Sequence, residues 1–159
     1  MVDTVLFVPA SSPPHKRLYA SFEDRYRMVE LALANQSGLA ASRLEADAAP
    51  SYSIDTIERL KPQLTPDDRL FFLIGADAFA EIQTWKRWRD VVKSVEFIVV
   101  SRPGHRYGVP EGARVHRLDI LDLPVSSSGI RERLAAGDDR VDAPPAVLRY
   151  IVERNLYSP

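Results

Sequence analysis

The sequence predicts an α/β fold: an open, doubly wound sheet that is mostly parallel. Short apolar runs of four or five residues alternate with helical patterns, which is how buried parallel strands joined by crossover helices look. The runs are β-branched or aromatic, and each closes on a Pro, a Gly or a Ser-Arg-Pro-Gly turn. At about 150 residues per domain, a length of 159 sets the expectation of one domain over residues 1–159.

The first strand is Val5-Leu6-Phe7-Val8. Behind it, Phe22, Tyr26, Val29 and Leu33 fall at helical spacing, and Ser21 with Asp24 supplies a capping signal at the helix start. A weaker strand is expected over 41–46. Ile54, Ile57 and Leu60 give a second helix behind Ser53, ending before Pro62 because the residue preceding a proline avoids the helical region. Leu70-Phe71-Phe72-Leu73-Ile74 and Phe97-Ile98-Val99-Val100 are the next strands, with a helix over 88–93 between them. The stretch 101–112 holds three glycines and two prolines and reads as a mobile surface loop. A strand over 114–118 follows, then a helix over 128–136 stopped by Gly137, and a last helix over 145–155 with Pro145 in its first turn. Ligands of such a sheet bind at the carboxyl ends of the strands, so functional residues should stand just after the apolar runs.

Composition narrows the function classes. Apolar residues make up 45% of the chain and charged residues 27%, the balance of a soluble globular protein. Twenty-one basic against twenty-two acidic residues leave a formal charge of −1, so no global field holds nucleic acid or an anionic membrane. Any anion site must be local. No apolar run approaches the roughly 18 residues of a spanning helix. The absence of cysteine excludes disulfides, thiolate metal sites and a thiol nucleophile. Val5 to Val8 lacks the basic flank and the length of a signal sequence, and the chain reads as cytoplasmic.

Five segments follow strands and carry polar chemistry. The stiff turn Pro9-Ala10-Ser11-Ser12-Pro13-Pro14-His15-Lys16-Arg17 delivers an imidazole and two cations, as a phosphate-facing loop or as an exposed basic loop. Gly75-Ala76-Asp77 allows close approach of backbone to a ligand, with Asp77 either a ribose acceptor or a helix cap. Thr84-Trp85-Lys86-Arg87-Trp88 places two indoles three residues apart, suited to stacking on a heterocycle or to packing as one helix face. Arg102-Pro103-Gly104 holds a guanidinium at a strand end, where it suits a phosphate oxygen or stands as a surface charge. Val125-Ser126-Ser127-Ser128-Gly129-Ile130-Arg131 aims free backbone N–H groups and a helix dipole outward beside an arginine; it is an anion site or a serine cap on a solvated face. There is no G-x-G-x-x-G, Walker A, H-E-x-x-H or G-x-S-x-G sequence, and the three histidines are isolated.

In this order, the segments resemble the bacterial nicotinate-mononucleotide adenylyltransferases. The match runs through Phe7-Val8-Pro9 with Pro13-Pro14-His15-Lys16, Pro50-Ser51-Tyr52-Ser53-Ile54-Asp55-Thr56, Gly75-Ala76-Asp77, Thr84-Trp85, Ser101-Arg102-Pro103-Gly104, residues 125–131 and a closing stretch with Tyr150-Ile151 and Leu156-Tyr157. The resemblance implies a Rossmann-like nucleotidyltransferase that joins ATP to nicotinate mononucleotide with Mg²⁺, and no protein ligand for the metal is assigned. It implies that Trp85 stacks on the pyridine ring while backbone N–H groups of Ser53 and Lys86 hold its carboxylate. Gly75 and Asp77 would line the nucleotide cleft, and Arg102 would approach the mononucleotide phosphate. Ser126, Ser127, Ser128, Ile130 and Arg131 would bind ATP, with His15, Lys16 and Arg131 at the reacting groups. Ser53 and Ser128 stand where the family commonly has threonine, which keeps the backbone donor and the hydroxyl.

Members of that family open with a strand followed by G-x-F-D-P-x-H-x-G-H, a segment outside these 159 residues. The resemblance therefore implies a sheet without its first βα unit. Its second and fourth strands would then pair directly, admit another segment, or leave an edge open to association into a homo-oligomer. The alternatives to an adenylyltransferase are a nucleotide-binding remnant without turnover and an oligomerisation or partner-binding module.

Overall fold

The computed structural model describes residues 2–14, 17–47, 50–102, 104, 106–119 and 125–157. The chain divides into two compact units, one of Met1–Ser51 with Pro124–Pro159 and the other of Tyr52–Leu123. All strand pairs among the described residues are parallel, in two sheets.

In the first unit, β1 (Val5–Phe7) pairs with β2 (Leu39–Ala41), Val5 opposite Leu39 and Phe7 opposite Ala41. The crossover is α1 (Phe22–Leu33), whose N-cap Ser21 accepts from the Asp24 N–H as the S-x-x-D pattern predicts. The strand expected over 41–46 instead ends at Ala41. Arg43 there turns to α1, pairing with the Glu23 carboxylate and lying over the Tyr26 ring at 4.7 Å, and the Ala46 N–H closes a turn on the Arg43 carbonyl. The unit is completed by α5 (Ser127–Ala135) and α6 (Pro145–Glu153). Gly137, at φ +79°, ends α5 as predicted, and Pro145 opens α6.

The second unit carries most of the buried apolar core. It begins with α2 (Ser53–Leu60), in which Ser53 is the first helical residue and Tyr52 the cap, since the Tyr52 carbonyl takes the Asp55 and Thr56 N–H groups. Pro62 falls in a 3₁₀ turn, Lys61–Gln63, which extends the helix by a turn that tolerates proline. There follow β3 (Phe71–Gly75), α3 (Ala76–Ala80), a 3₁₀ turn Ile82–Thr84, α4 (Trp88–Ser94), β4 (Glu96–Ser101) and β5 (Arg114–Asp119). The sheet order is β3-β4-β5. Central β4 alternates buried and half-buried residues, with Phe97 and Val99 fully enclosed, and Phe79 of α3 packs on Phe97 at 5.1 Å.

The apolar runs led to the expectation of strands buried on both faces, and two runs depart from it. Leu6 and Phe7 of β1 are 40% and 41% exposed, and Leu73 of β3 is 54% exposed. Among the described residues each of these strands pairs with one neighbour, so its flank and faces have less chain to cover them than central β4 has. No helix among the described residues is long and apolar enough to cross a membrane.

Candidate active site

The predicted ring-binding residues of the second unit come together through one ion pair. Lys86 follows the turn that ends the Ile82–Thr84 segment, and its Nζ reaches both Asp55 carboxylate oxygens at 2.9 and 3.1 Å. The same ammonium lies 4.5 Å from the centre of the Tyr52 ring. The 85–86 turn is thereby tied to the start of α2, where Ser53 stands. The two residues whose backbone N–H groups the resemblance assigns to the ring carboxylate, Ser53 and Lys86, therefore stand on segments joined by this ion pair, Ser53 in the opening turn of its helix. Trp85 is half-buried, its ring edge-on to Phe72 at 5.8 Å. Trp88 also packs against the core, as its place in the helix pattern predicts. Arg87, between them, adopts the left-handed conformation at φ 51°, and its guanidinium binds Glu58 and Asp90 at 2.9 and 2.7 Å.

Gly75 closes β3 and caps α3. Its φ is −72°, open to any residue, and a Cβ built there meets no atom within 4 Å. Neither turn geometry nor packing requires glycine at this exposed position. Asp77 lies exposed in the first turn of α3. Arg102 stands directly after β4, at the carboxyl end of the sheet. The residue before it, Ser101, is buried and donates its hydroxyl to Asp119 of β5 at 2.8 Å, so the ends of β4 and β5 are clamped where Arg102 emerges. That clamp was invisible in the sequence because its partners are 18 residues apart. Pro103 lies outside the described residues.

The predicted anion site of the first unit is the start of α5. Ser126 is the N-cap, its Oγ accepting from the Gly129 N–H at 3.1 Å and lying 3.3 Å from the Ser128 hydroxyl. A Cβ on Gly129 would stand 3.1 Å from Ser126 Oγ, so glycine keeps this cap closed. Ser127 and Ser128 are exposed, while Ile130 and Arg131 are half-buried. The Arg131 guanidinium lies over the Tyr19 ring at 5.1 Å, and Arg17 lies 5.6 Å from the same ring. The charges of Arg131 and Arg25 act to lower the Tyr157 pKa, but burial dominates and holds it above its ordinary value. Tyr19 escaped sequence reasoning because it falls on no helical stripe and carries no evident ligand chemistry of its own, and Tyr157 entered only as part of the closing motif, with no role.

His15 and Lys16 lie outside the described residues. The segment leading to them is anchored by Arg25 of α1, which donates to the Ala10 and Ser11 carbonyls at 2.6 and 3.3 Å, and by Ser12 and Ser51, paired at 2.9 and 3.0 Å. Arg25 lies one residue from the predicted apolar stripe, so helical spacing alone did not mark it.

Residues 1–133 match the family model described as cytidylyltransferase-like. A protein of Solibacter usitatus named "Probable nicotinate-nucleotide adenylyltransferase" is 54% identical over 99% of this chain and 85% of its own length. Proteins of the same name from Exiguobacterium sibiricum and Thermus thermophilus are 41% and 40% identical, over 99% and 98% of this chain and 84% of each relative. The solved structure of Plasmodium falciparum nicotinic acid mononucleotide adenylyltransferase complexed with NaAD shares the fold, with a TM-score of 0.77 at 22% identity over 98% of this chain and 82% of that one. Because the family match spans well over half of the sequence and the bacterial relatives are 40% identical or more across nearly all of it, the chain belongs to the nicotinate-nucleotide adenylyltransferase family.

Proposed function

We propose that this protein transfers the adenylyl group of ATP to nicotinate mononucleotide in the cytoplasm, releasing nicotinate adenine dinucleotide and pyrophosphate. The observation that carries the reading is the Lys86–Asp55 tie, which joins the start of α2 to the 85–86 turn beside a half-buried indole. Two backbone donors and an aromatic face suit a planar ring bearing a carboxylate.

In the reaction, a phosphate oxygen of the mononucleotide attacks the α-phosphorus of ATP. A new P–O bond forms as the bond to the β-phosphate oxygen breaks, and pyrophosphate leaves with the electron pair. No protein nucleophile is required, so the chain's task is alignment and charge neutralisation. Trp85, with the Ser53 and Lys86 N–H groups, orients the pyridine ring, and Arg102 takes the mononucleotide phosphate. Gly75 and Asp77 contribute a bare backbone approach and a hydroxyl acceptor. Ser126, Ser127, Ser128 and Arg131, with Ile130 beside them, hold the triphosphate, and His15 and Lys16 belong to the loop assigned to the reacting groups. Mg²⁺ enters as part of the ATP substrate, since it prefers phosphate oxygens and water to a protein cage, and it neutralises triphosphate charge. The donors at the start of α5 are hydroxyls, N–H groups and a guanidinium, which fit phosphate oxygens rather than the ion.

A pyrophosphate-release assay tests the reading. Release is expected with ATP and nicotinate mononucleotide together and with neither alone. Trp85→Leu keeps apolar contact with Phe72 but removes the stacking face, so the mononucleotide KM should rise about tenfold with kcat little changed. Calorimetric binding of ATP without release would overturn catalysis and leave a nucleotide-binding remnant, and no binding of either substrate would reject both.

Gly75 provides an independent check. Gly75→Ala meets no protein atom and needs no unusual φ, so its Tm should stay within about 2 °C of the parent. If a ligand lies against that backbone, kcat/KM should fall about tenfold or more. Unchanged activity would remove Gly75 from the site.

A further inference from the structure

The second unit holds a cavity of about 660 Å³ at the amino ends of its strands, the end opposite to Gly75 and Arg102. Across a strand of five residues, at roughly 3.3 Å each, the two ends are some 15 Å apart, too far for one small ligand to serve both. The cavity has the size of a small-molecule site, with an apolar surface from Leu64, Pro66 and Leu70 and charges from Lys61, Arg69 and Arg114.

The two carboxylates in its lining are already satisfied. Asp68 accepts from the Thr65 N–H and hydroxyl at 2.7 and 2.9 Å. Glu96, only 12% exposed at its side chain, is held by Arg69 at 2.9 and 3.0 Å and by His116 at 2.9 Å. These partners keep both carboxyls below their ordinary pKa and ionised. Lys61 donates to a neutral partner, the Ser94 hydroxyl at 3.0 Å, and Arg114 acts on Glu96 only through its charge. Lys61 and Arg114 therefore line an open depression of mixed polar and apolar surface, beside the half-buried Leu64 and Leu70.

We propose that this cavity binds a small phosphorylated molecule, with Lys61 and Arg114 taking its phosphate and Leu64 and Leu70 its apolar part. It is a second site, independent of the adenylyl-transfer reading. The test is a titration of the ¹⁵N-labelled chain with phenyl phosphate, followed by amide chemical shifts, with inorganic phosphate and sodium chloride at matched ionic strength in parallel. Saturable shifts are expected at Leu64, Thr65, Leu70 and Ser94 with phenyl phosphate, weaker ones with inorganic phosphate, and none with chloride. The double variant Lys61→Gln/Arg114→Gln should weaken phenyl phosphate at least about tenfold, because it removes both charge-assisted contacts. Arg131→Ala should leave these shifts intact. Shifts absent from those amides, equal in chloride, or unchanged in the double variant would overturn the proposal.

Discussion

Arg131→Ala is expected to lower kcat/KM for dinucleotide formation by about 10²–10³-fold, the usual loss when one preorganised donor to a developing phosphate charge is removed. Arg131 is half-buried one helical turn beyond the Ser126 cap, and in the proposed reaction its guanidinium and the opening N–H groups of α5 share the ATP phosphates. Arg131→Lys should recover only part of the loss, since an ammonium supplies charge without the planar fork. Tyr19 is a positioning residue here, because the guanidinium rests on its ring at 5.1 Å. Tyr19→Ala should cost about two- to fivefold, the worth of an exposed cation–π contact, as a higher ATP KM rather than a lower Tm. Steady-state pyrophosphate release against ATP concentration separates the two parameters. A loss below threefold in Arg131→Ala would remove it from the phosphate site.

Asp24→Ala is expected to destabilise the first unit by about 2–3 kcal/mol and to lower Tm by roughly 5–10 °C in thermal denaturation. Asp24 is 6% exposed and accepts from the Ser21 hydroxyl at 2.6 Å, the Tyr150 hydroxyl at 2.9 Å and Arg154 Nε at 3.3 Å. Removing the carboxylate strands those donors and unties α6 from α1. The Ser21 bond first, and then the Tyr150 bond, hold the Asp24 carboxyl below its ordinary value of 3.8. A depressed folded pKa gives stability that is complete above the unfolded value and lost as pH falls through the folded one. The Tm gap between the parent and Asp24→Asn should thus be full at pH 7, begin to close near pH 4 and vanish in stronger acid. A pH-independent gap would mean that packing, not ionisation, accounts for it.

Much of this was legible in sequence. Ser21 and Asp24 announced the start of α1, Gly137 the end of α5, and the run around Phe97 a buried strand, because capping, left-handed backbone and apolar continuity are local requirements. The order of motifs also carried the family, since loops after parallel strands all open at one end of a sheet. The second role of Asp24 was not legible: the same carboxylate that marks a helix start is buried against Tyr150, 126 residues away. The weaker strand over 41–46 failed for a related reason, as Arg43 found Glu23 and Tyr26 on α1 and drew the chain into a turn.

The sequence by itself determined the α/β class, the parallel strands, the family and the residue types offered to a nucleotide, because these follow from short-range patterns and their order. Only the tertiary structure decided which donors are left for a ligand. The Lys86 ammonium is held by Asp55, the Glu96 carboxylate is held by Arg69 and His116, and Lys61 and Arg114, which no motif singled out, line one depression at the amino ends of the strands. The physical reason is that a charge's availability depends on which opposite charge lies within a few ångströms, and chain crossings set that distance.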